Sequence, residues 1–443
     1  MDSLRLWLTP GMGVKRHVFV AVLGALLLIV GALGVLLWFF NESRSTLSEP
    51  IEDVLVSGGW RVLGGWVSLL LFVAGAVLAS RAVASLNNSL LSNWLEKPHE
   101  AAQLLHRRIR LGRGPRVVAV GGGSGLSNLL RGLREETSNL TAVVAVSDDG
   151  GSSGRLRDAF DMPAPGDLTD CLAALSDQDS RLSALMQYRF VRGGELSGHT
   201  FGNILITSLT EVEGDFGEAV RLLNRTLNLS GAVFPATSQP VSLEVVKTGG
   251  ELVRGESNIR RVPGAVRQVR LEPALAPASD EVVNAVSLAD LVVLGPGSLF
   301  TSTLPPLLVP GVRAALAESP ARLVYVVNIM TEAGETDGFD AFDHVSALLD
   351  HGIRKPDAIL FNSTPVDDVR RTSYRAEGAE LVLLAAERLQ RTGVGIVLAP
   401  VMGKGVTAQH DGVRLAKALT RLARPDVRLW RRIDSGASVE LTL

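Results

Sequence analysis

Cysteine is nearly absent: Cys171 is the single one in 443 residues. A lone cysteine excludes a disulfide scaffold and any structural zinc site that needs two or more thiolates. It also fits a folded part that lives in a reducing compartment. Excess charge of either sign is missing too, with 44 Lys+Arg against 46 Asp+Glu. That balance argues against a basic nucleic-acid binder and an acidic disordered tail, so no nucleic-acid partner is expected. Aromatics are sparse at 5%. No HExxH, Walker A loop, kinase signature or tellingly spaced Ser-His-Asp set occurs. What abounds is apolar residues, at 46%, and glycine, at 45 residues. The mean hydropathy of +0.24 is high for a soluble protein of this length, so part of the chain is expected to face lipid.

The apolar excess sits near the N-terminus. Residues 18–40 carry no charge, and residues 62–80 form a second uncharged run between Arg61 and Arg81. Each run can cross about 30 Å of hydrocarbon as a helix. The first is too long for a signal-peptide core, and no small-x-small cleavage site follows before Asn41. Lys15 and Arg16 precede the first run, and Arg81, Lys97, Arg107, Arg108, Arg110, Arg113 and Arg116 follow the second. The connection carries Glu42, Glu49, Glu52 and Asp53 against Arg44. Positive charge on both outer flanks predicts a two-pass hairpin in the cell membrane, with the large C-terminal part cytoplasmic. Trp38, Trp60 and Trp66 stand near the span ends, where interface aromatics collect. The expected organisation is a cytoplasmic tail over 1–17, a transmembrane hairpin over 18–81, a basic juxtamembrane linker over 82–114 and a large domain over 115–443. The linker, interrupted by Pro98, reads either as a segment held on anionic lipid or as a solvated helix.

Beyond residue 115 short β-branched runs alternate with helical stretches. Strands are expected at 116–120, 141–146, 291–294, 323–327 and 358–361, and helices at 126–135, 216–227, 281–289 and 342–349. This alternation predicts an α/β domain with a mainly parallel sheet flanked by helices. Residues 231–275 read as a small β-hairpin insertion turning at Gly249-Gly250.

Ligands of such sheets bind beyond the carboxyl ends of the strands, and four glycine-rich or polar loops are expected there. Gly121-Gly122-Gly123-Ser124-Gly125 follows the first strand and opens a helix, so backbone N–H groups can approach a phosphate. The second loop holds Asp148, Asp149, Gly150, Gly151 and Ser152. An acidic residue there can grip a ribose, two adjacent carboxylates can hold Mg²⁺, and the glycines make an anion nest. The third group is Pro165-Gly166-Asp167 together with His199 and Asn203, with His199 a candidate phosphate contact or a structural residue. The fourth is Gly295-Pro296-Gly297-Ser298, followed by Asn328 after the next strand.

VGGGSGLSNLLRGL, VSDDGGSSGRLR, PGDL, SGHTFGN, LTEVEGDFGEA, LGPGSLFTS and NIMTEAGETDGF stand in the order of the YvcK family of gluconeogenesis factors, and the chain from 116 to 443 resembles that family. The wider superfamily contains 2-phospho-L-lactate transferase, CofD. The resemblance implies a Rossmann-like fold and a regulatory protein that binds a UDP-sugar such as UDP-N-acetylglucosamine. It further implies a part in cell shape and envelope precursor supply during gluconeogenic growth, or alternatively a CofD-like transfer of a phospholactyl-type group from a nucleoside-diphosphate donor. Carried over by residue, the binding set is Gly122, Gly123, Ser124, Gly125, Asp148, Asp149, Gly150, Gly151, Ser152, Gly166, Asp167, His199, Asn203, Gly295, Gly297, Ser298, Asn328 and Tyr374. Tyr374 matches a tyrosine that the family associates with UDP-sugar binding. No catalytic residue is assigned, and Mg²⁺ with the nucleotide, on Asp148 and Asp149, is the one cofactor considered. Expected partners are the nucleotide ligand, the inner membrane, an unidentified protein of envelope synthesis and, as an open alternative, a second copy in a homodimer. Two departures stand out: Thr169-Asp170 where the family has Arg-Asn, and Gln409 where it has an arginine linked to the nucleotide-sugar. The two apolar runs lie outside the usual soluble family pattern.

Overall fold

The two uncharged runs form long helices, Val14–Arg44 and Ile51–Leu91. The computed structural model describes residues 14–44, 51–91, 101–176, 181–424 and 426–443. The expected tail before residue 14, together with Glu49, Lys97 and Pro98, lies outside the described residues, as do the side chains of Lys15, Glu42, Arg44, Glu52, Asp53, Trp60 and Arg61. Within the helices, Arg16–Phe40 and Gly64–Ser89 have 25 and 26 residues and mean hydropathies of 2.9 and 2.1, long and apolar enough to cross a membrane. Small residues bring the two helices together. A Cβ at Gly31 would stand 2.3 Å from the backbone N of Phe72, and one at Gly24 2.6 Å from that of Ala79. Such close approach is how helices associate where lipid removes the hydrophobic drive between them. The outer faces leave Phe19, Leu33, Leu37, Phe39 and Leu70 exposed.

The chain divides into two compact units, Met1–Arg107 and Arg108–Leu443. The second is built on a sheet of eight strands: β1 (Val117–Gly121), β2 (Leu140–Val144), β3 (Ala232–Pro235), β7 (Leu291–Leu294), β8 (Arg322–Val326), β9 (Ala358–Asn362), β10 (Gly395–Ala399) and β11 (Ser438–Glu440). Their order is β11-β10-β9-β8-β7-β1-β2-β3, and every neighbouring pair is parallel. All residues of β1 and β7 are buried, as in a sheet covered on both faces. The helix Gly123–Leu133 covers one face with Leu126, Leu129, Leu130 and Leu133, at the spacing of one helical stripe. The apolar stretches Leu299–Leu308 and Pro310–Glu318, bent by 80°, bury Leu299, Phe300, Leu304, Leu307 and Val312 in the domain core.

The sequence reading of 231–275 needs correction at its start. Residues Ala232–Pro235 are not part of the insertion but the edge strand β3, paired to β2. The insertion is a separate antiparallel sheet of β4 (Ser242–Lys247), β5 (Leu252–Arg254) and β6 (Val266–Glu272) in the order β5-β4-β6. Gly249 and Gly250 do lie in the β4–β5 turn. A four-residue edge strand has too few residues to show which sheet it joins, and Phe234 is only half-buried there.

Candidate functional site

The strand order creates the site. From β1 the chain moves outward through β2 to β3 and then returns to β7 on the other side of β1, so the connections leaving β1 and β7 diverge. In open parallel sheets such a reversal leaves a crevice beyond the carboxyl ends of the two strands. Here that crevice is a cleft of ≈ 340 Å³. Its floor is the Gly122–Gly125 turn after β1 and Pro296, Gly297 and Ser298 after β7, with Asn328 beyond β8. Asn328 Nδ2 donates to the Gly297 carbonyl at 3.0 Å and holds the β7 and β8 loops together. The glycines are steric requirements. A Cβ on Gly125 would stand 2.5 Å from the Pro296 carbonyl oxygen, and one on Gly122 2.3 Å from Asp167 Oδ2. Helix Gly123–Leu133 begins at this floor with no side-chain cap from Gly122, so its N-terminus is directed at the cleft.

Acidic groups gather beside the floor. Asp167 accepts a hydrogen bond from the Gly123 N–H, yet burial, with Asp148 and Asp170 near, pushes its pKa up to about 7. Burial also raises Asp148, whose Oδ1 accepts the Gly150 N–H at 2.9 Å. Asp149 is directed elsewhere: its Oδ1 accepts the Ser257 N–H at 2.8 Å and ties the insertion to the β2 loop. That contact brings in Glu256, whose carboxyl is pushed up to about 9 by burial and by Asp148, Asp167, Glu335 and Asp149. Arg260 reaches Glu335 Oε1 at 2.9 Å and Ser298 Oγ at 3.4 Å, and Ser298 hydrogen-bonds Glu332.

Of the residues singled out in the sequence, Gly122, Gly123, Ser124, Gly125, Gly297, Ser298, Asn328 and Tyr374 line the cleft. Gly295 lies behind it in the β7 turn, and Gly166 packs against Ser153 behind the acidic group. Gly150 caps the Gly151–Phe160 helix without a side-chain bond. His199 and Asn203 do not line the cleft. His199 Nδ1 lies 2.8 Å from Ser152 Oγ, Asn203 Nδ2 donates to that oxygen at 3.1 Å, and Thr169 Oγ1 donates to Asn203 Oδ1 at 2.7 Å. The four form a buried network. The expected Asp148–Asp149 pair also separates, because the two carboxylates serve different backbone amides. Among the described residues no three His, Cys, Asp or Glu side chains converge as metal ligands.

Several lining residues were not singled out. Glu256 and Arg260 come from the insertion, Asn128 from the second turn of the first helix, and Ala408 and His410 from a loop near the C-terminus, where Gln409, noted above as a departure, also lines the cleft. His410 is buried, its Nε2 has no partner among the described residues, and burial pushes its pKa down to about 4, so its ring is neutral. Tyr374, on the Asp368–Ala376 helix, packs on Ile329, Met330, Val366, Met402 and Ala408. A larger hollow of ≈ 1130 Å³ lies at the opposite ends of the strands, among Arg116, Asp290, Arg322 and Trp430. Two ion pairs form in it, Arg116–Asp290 at 3.2 Å and Arg322–Asp434 at 3.3 Å.

Comparison with known proteins agrees with this architecture. The profile of 2-phospho-L-lactate transferase CofD matches residues 117–402. The gluconeogenesis factor of Halalkalibacterium halodurans is 44% identical over 68% of this chain and 95% of its own length, and that of Bacillus subtilis is 39% identical over 71% and 100%. A relative from Deinococcus radiodurans is 42% identical over 94% of this chain and 89% of its own. That span is longer than the sheet domain and its linker together, so this relative shares sequence with the helical region, whereas the Halalkalibacterium and Bacillus relatives are spanned almost whole by 68–71% of this chain. The crystal structure of protein BH3568 from Bacillus halodurans superposes with a TM-score of 0.67 at 41% identity, covering 69% of this chain and 99% of that one.

Proposed function

We propose that this chain, which belongs to the CofD family and within it to the YvcK-like gluconeogenesis factors, is a membrane-tethered regulator that binds a UDP-sugar resembling UDP-N-acetylglucosamine. The observation that carries the reading is the crevice between β1 and β7, floored by glycine turns at a helix start without a side-chain cap and walled by Tyr374. Backbone amides at a helix start suit a diphosphate, and an aromatic ring suits a uracil or a sugar face. The ligand state would be passed to an unidentified protein of envelope synthesis and so to cell shape under gluconeogenic growth. Both long helices cross the membrane in this reading, with the sheet domain cytoplasmic, as the arginines on the outer flanks favour.

A second reading has its own support. Asp148 stands near enough to Asp167 to help raise its carboxyl, and this pair would supply part of an Mg²⁺ shell that ligand phosphate oxygens and water complete. A transferase of the CofD type would use the metal to neutralise charge on the nucleotide's phosphates. Calorimetric titration of the detergent-solubilised full chain with UDP-N-acetylglucosamine, GDP and NAD, with and without Mg²⁺, tests both. The regulator binds the UDP-sugar reversibly and returns it unchanged after long incubation. Tyr374→Ala weakens that binding and Gln409→Arg, by adding a cation, tightens it. Steady release of UDP, UMP or GMP, lost in Asp167→Asn, would replace the regulator with the transferase.

A further inference from the structure

A second compartment of ≈ 190 Å³ lies beside the main cleft, beyond the carboxyl ends of β8 and β9, and Asn328 and Ile329 line both. Among the described residues Arg371 is the sole charged one lining this compartment, and no Asp or Glu faces it there. The arginine lies on the same helix as Tyr374, three residues earlier, so the two side chains share a helix face. Its neighbour Arg370 is fully engaged, with Asp367 at 3.2 Å and the Met402 sulfur and Gly405 carbonyl as further partners. Arg371 has no such set. Its Nε is completely buried without a hydrogen-bond partner among the described residues, and Thr364 Oγ1 in the same wall is also unpartnered. A guanidinium N–H withdrawn from water and left unpaired is costly, and an incoming oxyanion is a group that relieves it.

Resting on the nucleotide-sugar reading above, we propose that this compartment receives an acidic group on the sugar of the ligand, and that Arg371 is the residue that selects it. Position separates this group from the diphosphate. The glycine floor belongs to β1 and β7, whereas the compartment opens at β9, two strands from β7 and so roughly 10 Å away. That offset suits a carboxylate one sugar ring beyond the phosphates. The ligand class is therefore narrowed to a UDP-sugar whose sugar carries a carboxylate, with neutral UDP-sugars such as UDP-N-acetylglucosamine as the weaker ligands of the same cleft.

UDP-glucuronate and UDP-glucose differ by one carboxylate and serve as probes, with UDP as reference, against the full chain in detergent. The wild type binds UDP-glucuronate at least tenfold more tightly than UDP-glucose. Arg371→Gln abolishes the difference while keeping the affinity for UDP-glucose and UDP, and Arg371→Lys retains part of it. An unchanged melting temperature shows that the variants fold, and should Arg371→Gln not fold, the wild-type preference alone decides. Equal wild-type affinity for the two sugars overturns the proposal, as does an Arg371→Gln loss that is the same for UDP, which would put the guanidinium on the diphosphate. Failure of the wild type to bind UDP at all would instead remove the nucleotide-sugar reading, and this inference with it.

Discussion

Asn128 Nδ2 donates a 2.7 Å hydrogen bond to the main-chain carbonyl of His410, joining the first helix of the sheet domain to a loop near its C-terminus. Both residues line the cleft. The bond therefore holds the far wall at a fixed distance from the glycine floor. Close by, a Cβ on Gly132 would stand 2.0 Å from the Gly412 carbonyl oxygen, so the helix Gly412–Ala423 and the helix Gly123–Leu133 can move apart but not closer.

Replacing Asn128 by leucine removes the donor and keeps the bulk. A net intramolecular hydrogen bond is worth about 0.5–1.5 kcal/mol, so affinity for the nucleotide ligand should fall by roughly two- to tenfold. The loop 403–410 should also exchange its amides faster, which hydrogen exchange followed by mass spectrometry can read. Unaltered exchange and affinity would mean that the wall is held by other contacts.

Gly125→Ala is the sharper test of the floor. The added methyl meets the Pro296 carbonyl at 2.5 Å, and both partners are backbone. Over-packing of this kind costs about 1–3 kcal/mol, so the melting temperature should drop by several degrees and binding should be lost. The same change at Gly405, where a Cβ meets nothing, should leave both unchanged.

The acidic group predicts a pH dependence with a definite sign. Asp167 and Glu256 hold their protons up to about 7 and about 9 in the fold, against ordinary values of 3.8 and 4.5. Raised carboxyl pKa values mean that the native state binds more protons than the unfolded one across that interval. Stability from these groups is present at acid pH and declines as pH climbs from about 4 through 7 and 9. Asp167→Asn and Glu256→Gln should therefore each stabilise the unliganded protein at pH 8, by about 1–3 kcal/mol, and bring little near pH 4. Melting curves across that range decide the matter, and variants that destabilise at pH 8 would contradict it.

For the helical unit, a reporter inserted after Ser48 should be external and one at Leu443 cytoplasmic. Gly31→Leu, which would drive a side chain into the backbone of Phe72, should loosen the helix pair and raise its susceptibility to protease in detergent. A resistant variant would indicate that the close approach is dispensable.

Much of the floor could be read from the sequence because its chemistry is local. Gly121-Gly122-Gly123-Ser124-Gly125 and Gly295-Pro296-Gly297-Ser298 each follow a strand directly, and the strand order brings them together. The walls could not be read in this way. Glu256 and Arg260 come from the insertion, whose placement depends on the bond between Ser257 and Asp149, and His410 depends on Asn128. Adjacency misled the reading once. Asp148 and Asp149 are neighbours in sequence, but successive residues of an extended loop point apart, and each carboxylate found its own amide. His199 and Asn203 carried a motif that looked ligand-facing, yet its polar atoms satisfy Ser152 and Thr169. A few turn-rich residues at the β3 edge concealed their parallel partner in β2.

The position of β1 has a consequence for how the molecule comes into being. It is the first strand of the sheet to be synthesised, yet it lies in the interior and needs β7 as its neighbour. Arg116 and Asp290, which bond at the start of these strands, are 174 residues apart. At about 5–20 residues per second a ribosome takes roughly 10–35 s to supply the missing strand. Throughout that interval the nascent chain carries an open, wholly apolar strand edge, with the two long helices already made. Arrival of β7 closes the edge and lets the glycine floor form behind it, with Asn328, Tyr374 and His410 added later, so nascent chains shorter than about residue 294 should bind chaperone and no nucleotide.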